Sequence, residues 1–153
     1  MTRFLAALCG GALLVYGLPA LAVDSSYTAA SQSPPDAVWA KLGDFCGIAK
    51  FLPGITCTLS DDGKVRTLKT PEGGVVVERL DNRDDAARTY SYTILEAGPL
   101  PVANYHSTIS VQPAGVGSSV VWNGKYDAKG ASDEDAKKAI DGIYKTGADN
   151  LTK

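Results

Sequence analysis

The sequence predicts an α+β protein in which an antiparallel β-sheet packs on one long helix at the end of the chain. Three observations predict it. The stretch Gly98 to Asp127 reads as a Pro-rich loop, a strand, a Gly-rich turn over Pro113 to Gly117, and a second strand. Side chains alternate along a strand, so Tyr105, Ser107, Ile109 and Val111 share one face, as do Val120, Trp122, Gly124 and Tyr126. A hairpin with so much apolar surface must lay that face on something. From Ile55 onward, short alternating segments are separated by tight turns, which makes neighbouring strands antiparallel. Finally, Ala136, Ala139, Ile140, Ile143, Tyr144, Gly147 and Leu151 follow helical spacing, so Ser132 to Leu151 is the one large partner available to the sheet.

The chain begins with an address. Met1 to Ala22 carries Arg3, then the apolar run FLAALCGGALLVYG, then LPALA. This is the pattern of a secretory signal with cleavage after Ala22, so the expected product starts at Val23 and is periplasmic or secreted. The apolar run is short and Gly-rich for a membrane span, and no second such run exists. Residues 23–153 suffice for one domain with a core of its own. The whole chain has a formal net charge of −2 and no Lys/Arg cluster, which excludes nucleic acid and anionic membrane surfaces as expected partners. After cleavage only Cys46, Cys57 and His106 remain as soft ligands, too few for zinc or haem; no metal and no cofactor is expected.

Val23 to Ser31 is weakly patterned and reads as an edge strand. Ser33-Pro34-Pro35-Asp36 is a helix start, with Ser33 as cap and Asp36 as the acidic residue of a capping box. Val38, Trp39 and Leu42 form its apolar face and Gly43 ends it. Asp44 caps a second short helix through Phe45, Ile48, Ala49 and Leu52, stopped by Pro53-Gly54. Strands follow: Ile55 to Leu59, the turn Asp61-Asp62-Gly63, Val65 to Thr70, a loop Pro71 to Gly74, Val75 to Leu80, and a turn Asn82 to Asp85. Thr89 to Leu95 then places Tyr90, Tyr92 and Ile94 on one face. In the final helix Ser132 caps and Asp133, Glu134 and Asp135 fill the electropositive first turn. Gly142 and Gly147 each cost that helix about 1 kcal/mol against Ala. They either admit the sheet closely or leave space beside it.

This order of elements resembles the helix-grip fold of the START/birch-pollen-allergen/polyketide-cyclase superfamily (SRPBCC). The resemblance is carried by Pro34 to Trp39, Phe45, Phe51-Leu52-Pro53, Glu78-Arg79-Leu80, Gly98 to Val102 with Tyr105, Trp122, Ile143-Tyr144 and Leu151. It implies a curved antiparallel sheet wrapped around the C-terminal helix, two short helices after the first strand, and a pocket between sheet and helix. As an exported single-domain chain it is similar to the MxaD-type accessory proteins of periplasmic methanol oxidation, which implies an exported protein partner. The likeness to plant abscisic-acid receptors places a gate loop at Pro71, Gly73 and Gly74 and a latch loop at Pro99, Leu100 and Pro101. It implies pocket-facing side chains at Glu78, Tyr105 and Ser107. The latch has no basic residue, so the resemblance does not extend to a carboxylate ligand.

The expected ligand-binding set is Glu78, Tyr92, Tyr105, Ser107, Trp122, Tyr126, Ala139 and Ile143. Core packing explains any single aromatic among them; an apolar cavity explains their convergence. Glu78 is either a surface residue paired with Arg79 or Lys69, or a pocket carboxylate whose pKa would rise with burial. His106 falls opposite Tyr105 and Ser107, on the outer face, and no catalytic residue is assigned. Cys46 and Cys57, separated by the Pro53-Gly54 bend, can close a disulfide in an oxidising compartment. Three functions remain: an exported binding protein for a small apolar or aromatic molecule, a cyclase-, dehydratase- or hydrolase-type enzyme using Glu78 or a Tyr pair, and an accessory protein that docks an exported dehydrogenase.

Overall fold

A computed structural model describes residues 22–153. The expected signal segment therefore lies, but for Ala22, outside the described residues. Seven strands form one antiparallel sheet: β1 (Val23–Ser31), β2 (Thr56–Leu59), β3 (Val65–Lys69), β4 (Val75–Asp84), β5 (Thr89–Glu96), β6 (Val102–Ala114) and β7 (Gly117–Ala128). Their order across the sheet is β1-β7-β6-β5-β4-β3-β2. Helix α1 (Pro35–Leu42) and a 3₁₀ turn (Gly47–Lys50) connect β1 to β2, the two edges; α2 (Asp133–Leu151) follows β7. This is the helix-grip fold.

The sheet must bend to hold a helix, and the bends sit where the register slips. Bulges interrupt the β4–β5 pairing at Val77/Glu78 and Leu80/Asn82, and the β6–β7 pairing at Ala103/His106. An extra residue on one strand raises the local twist and curls the strand. Asn104, at φ 50, takes the left-handed conformation inside the last of these.

Alternation puts the same residues inward that the sequence pattern selects. Tyr90, Tyr92, Tyr105, Ile109, Val111, Val120, Trp122 and Tyr126 are all buried, while His106 is exposed. Helix α2 lays Ala136, Ile140, Tyr144, Gly147, Ala148 and Leu151 on this face. It packs against β1 and β7, one end of the sheet. The opposite flank of the helix thus looks across an unfilled gap toward β3, β4 and β5. Ser132 caps α2 as expected, its Oγ accepting from the Asp135 amide at 3.1 Å.

Several local expectations change. Pro34, not Ser33, is the N-cap of α1, and Pro35 takes the first helical position. Pro34 has no side-chain oxygen to offer, so there is no capping box; Asp36 instead bonds Arg88 at 2.9 Å. The second helix is only the 3₁₀ turn, just ahead of which Asp44 accepts from the Cys46 amide at 2.9 Å. Strand β4 runs on to Asp84, because β5 supplies partners as far as Thr89. The turn follows it, with Asp84 accepting from the Ala87 amide and Arg88 at φ 52. Strand β6 likewise runs through Pro113 to Ala114, leaving Gly115-Val116 as a two-residue turn.

Candidate functional site

The gap beside α2 is a cavity of about 390 Å³. Its floor is the concave face of β3, β4 and β5: Arg66 and Leu68, Val76 and Glu78, Tyr92 and Ile94, with Tyr105 from β6. One wall is the α2 flank, Ala139, Ile140, Gly142, Ile143 and Thr146. The facing wall is Leu52, Pro53 and Ile55, the stretch between the 3₁₀ turn and β2. Ala139 and Ile143 are half-buried and Gly142 and Thr146 exposed, so the cavity opens along this flank of the helix.

The floor carries a charge pair. Arg66 Nε donates to Glu78 Oε2 at 2.5 Å and Arg66 Nη1 to the Phe45 carbonyl at 2.5 Å. The guanidinium carbon lies 4.0 Å from the Phe45 ring centroid and 4.8 Å from that of Tyr92. Arg66 is 1 % exposed and Glu78 5 %. Burial, the largest single influence, drives the Arg66 pKa down, but the Glu78 charge and hydrogen bond together with Tyr90 and Tyr92 outweigh it and hold the guanidinium above its ordinary value. Such a pair adds little net stability, since desolvation offsets most of its Coulomb energy.

Behind the floor runs a chain of hydroxyls. Tyr92 Oη lies 3.4 Å from Tyr105 Oη, Tyr105 Oη 2.5 Å from Tyr144 Oη, and Tyr144 Oη 3.0 Å from Ser107 Oγ. Trp122 Nε1 donates to Tyr92 Oη at 3.1 Å and to Ser107 Oγ at 3.0 Å. Burial pushes the phenols of Tyr92 and Tyr105 well above their ordinary value, with the Glu78 charge adding to it at Tyr92. Burial also raises Tyr144, against the pull of its bonds to Ser107 and Tyr105. All three are neutral phenols at ordinary pH, able to donate a hydrogen bond and unfit as bases.

Of the expected ligand set, Glu78, Tyr92, Tyr105, Ala139 and Ile143 line this cavity; Ser107, Trp122 and Tyr126 do not. The gap is filled where those three sit. Tyr144 stacks on Trp122 at 4.7 Å between ring centroids, and Tyr126 stacks on Tyr105 at 5.6 Å while its hydroxyl bonds Ser25. Two glycines allow that filling. A Cβ at Gly147 would stand 2.6 Å from Trp122 Cζ3, and one at Gly124 would collide with Tyr144 Oη. Gly147 is thus a close-packing residue, whereas Gly142 borders open space. Of the gate and latch residues, Leu100 reaches the cavity, joined by Thr70. Pro71, Gly73, Gly74, Pro99 and Pro101 stand outside the lining, although the two loops touch: a Cβ at Gly74 would lie 2.8 Å from Pro99 Cγ.

Glu78 is neither a surface residue paired with Arg79 or Lys69 nor a lone pocket acid. Its partner is Arg66, on β3. Alternation puts Arg66 on the face of Leu68, and counting outward from the loop after Lys69 brings Arg66 opposite Glu78. That register was the signal available. Leu52, Pro53 and Ile55 carried none, because an irregular segment has no period from which to read a face.

Cys46 and Cys57 are joined in a disulfide, their Cα atoms 5.6 Å apart. His106 stands on the outer face with Nδ1 2.9 Å from Thr93 Oγ1. Among the described residues no helix is long and apolar enough to cross a membrane.

The family model described as "Polyketide cyclase / dehydrase and lipid transport" matches residues 22–153. The protein XoxI of Bacillus cereus is 34% identical with a TM-score of 0.80, over 85% of this chain and 93% of that one. An uncharacterised protein of Bacillus thuringiensis is also 34% identical, with a TM-score of 0.79, over 84% of this chain and 96% of its own. The Zhui aromatase/cyclase of a Streptomyces species superposes with a TM-score of 0.67 over 86% of this chain and 91% of that one. At 18% identity it shares the fold alone. No curated protein matches the chain.

Proposed function

Since the chain belongs to the polyketide cyclase/dehydrase and lipid-transport family of the SRPBCC superfamily, we propose that it is an exported binding protein for a small apolar or aromatic molecule, held between the sheet and α2. The observation that carries this reading is the cavity: about 390 Å³, walled by Leu, Ile, Val, Ala and aromatic side chains, with few polar groups on one floor. That volume and composition are those of ligand pockets, which run from roughly 300 to 1,000 Å³. The same floor argues against a cyclase or dehydratase. Glu78 is tied to Arg66, the phenols hold their protons, and His106 is on the far side of the sheet. Among the lining residues Glu78 is the one carboxylate, and its pairing with Arg66 suits it to hold a ligand as a polar contact more than to abstract a proton from one. Docking on an exported dehydrogenase would use the outer surface and is compatible with a filled cavity.

Binding is tested with N-phenylnaphthylamine, a neutral fluorophore that brightens in apolar surroundings. Saturable enhancement, competed by other apolar aromatics, is the expected result. A protein that is folded by circular dichroism yet leaves the dye dark would sink the reading. Export rests on Arg3, the apolar run and Ala20-Leu21-Ala22. N-terminal sequencing of the periplasmic or culture fraction should begin at Val23; an intact Met1 on all of the material would refute export.

A further inference from the structure

The hydroxyl chain behind the cavity floor has only one consistent direction. The Asn123 carbonyl can only accept, so Ser107 Oγ spends its proton there, at 2.6 Å. Ser107 Oγ then accepts from Trp122 Nε1 and from the Tyr144 hydroxyl, which fills both lone pairs. With its proton given to Ser107, Tyr144 must accept from Tyr105 across 2.5 Å. Tyr105 has thereby used its own proton. The last member, Tyr92, shares the single Trp122 N–H with Ser107 and has Tyr105 Oη, at 3.4 Å, as its only hydroxyl acceptor. That distance is too long for a good O–H···O bond, which falls near 2.7 to 2.8 Å as a rough mode. One donor on the floor is therefore poorly satisfied.

One acceptor is open as well. Glu78 gives Oε2 to Arg66, and no donor reaches Oε1 among the described residues. The only fully buried side-chain polar atom without a partner there is the Tyr90 hydroxyl. Glu78 Oε1 is thus not sealed off, and the space it opens on is the cavity that Glu78 lines. Glu78 and Tyr92 are diagonal neighbours on β4 and β5, since Glu78 pairs with Ile94 and Tyr92 with Leu80. A loose donor and an open acceptor thus belong to neighbouring residues of one cavity floor, beside the Arg66 guanidinium.

We propose, building on the binding reading above, that the ligand carries a neutral hydroxyl, an alcohol or a phenol, which donates to Glu78 Oε1 and accepts from the Tyr92 hydroxyl. A hydroxyl is the smallest group that does both. A carboxylate has no proton for Glu78 and brings a second anion to a guanidinium already neutralised. An ammonium has no lone pair for Tyr92 and brings a second cation beside Arg66. In a site this dry each of those charges would be poorly compensated. Burial and the Glu78 charge keep the Tyr92 phenol protonated, as its donor role requires.

The test is displacement of bound N-phenylnaphthylamine by compounds that share one ring system: naphthol, methoxynaphthalene, naphthoate and naphthylmethylamine. Naphthol should displace the dye at a concentration at least about 10-fold lower than any of the others, the factor a hydrogen bond to a charged acceptor supplies. Tyr92→Phe should shrink the margin of naphthol over methoxynaphthalene while the dye still binds. Glu78→Gln should shrink it further, and dye binding reports whether that variant is folded. Dye binding with naphthoate or methoxynaphthalene equal to naphthol overturns this proposal alone. A margin that survives Tyr92→Phe overturns the assigned contact. If neither dye nor naphthol binds, the cavity reading falls, and this proposal with it.

Discussion

Arg66 shows how much one side chain can decide. It is an arginine that is 1 % exposed, beneath an apolar cavity, and three groups hold it there: the Glu78 carboxylate, the Phe45 carbonyl and the Phe45 ring. Removing one partner leaves the other charge buried and unpaired, which costs about 3–5 kcal/mol. Removing both replaces two desolvated ions by apolar contact and is close to neutral. Arg66→Met should therefore lower the urea unfolding free energy by about 3–5 kcal/mol, and Arg66→Met combined with Glu78→Leu should recover most of it. The doubly substituted protein should still bind N-phenylnaphthylamine and show no preference for naphthol. Additive losses in the double variant would mean that the two charges do not act as a pair. Glu78 itself was legible as an inward candidate from the strand Val75 to Leu80. Its partner was legible only through cross-strand register, a relation between two segments and not a property of either.

Among the elements, the least regular one is the most exposed to function. The disulfide between Cys46 and Cys57 closes a loop whose interior supplies the cavity wall Leu52, Pro53 and Ile55. Phe45, which anchors Arg66, precedes its first cysteine. Strand β2 holds the other end and is an edge, paired only with β3. Other ties restrain the segment: Ile48 is buried in the core, Phe51 and Leu52 pack against it, the Asn150 amide donates to the Phe51 carbonyl at 3.0 Å, and Gly54 lies against Pro71. A bridge closing so short a loop contributes about 2–3 kcal/mol. Reduction, or Cys46→Ala with Cys57→Ala, should cost about that much stability and weaken N-phenylnaphthylamine several-fold. Loss of stability with unchanged dye affinity would show that the wall holds its shape without the bridge. The strands and α2 were read from period two and period 3.6. This segment has neither, and its contribution to the site came from packing alone.

At the scale of the whole molecule, the cavity exists because one helix is narrower than the sheet it lies on. Helix α2 covers the β1–β7 end, where Tyr144 and Gly147 close on Trp122. Its far flank, with Ala139 and Gly142, stops short of β3 to β5. Ala139→Phe puts a phenyl ring into that gap and adds no polar group. It should abolish N-phenylnaphthylamine binding and change the unfolding free energy by no more than about 1–3 kcal/mol. Unfolding of this variant, with no dye binding by the wild type, would mean that the space is already packed.

The α+β class, the strand faces, the C-terminal helix and its cap were determined by the sequence alone, because each rests on periodicity and turn chemistry within a few residues. Tyr92 and Tyr105 fell inward by period two and Ala139 and Ile143 by the helix stripe, whereas Glu78 stayed open between surface and pocket until its place opposite Arg66 was seen. Tertiary structure alone decided which side of the interior stays open. Sequence marks Trp122, Tyr126 and Ser107 as inward as surely as Tyr92. Whether an inward side chain meets a ligand or Tyr144 depends on where α2 lies across the sheet. That placement is set by the fit of Tyr144 beside Gly124 and of Gly147 against Trp122, contacts between residues far apart in the chain.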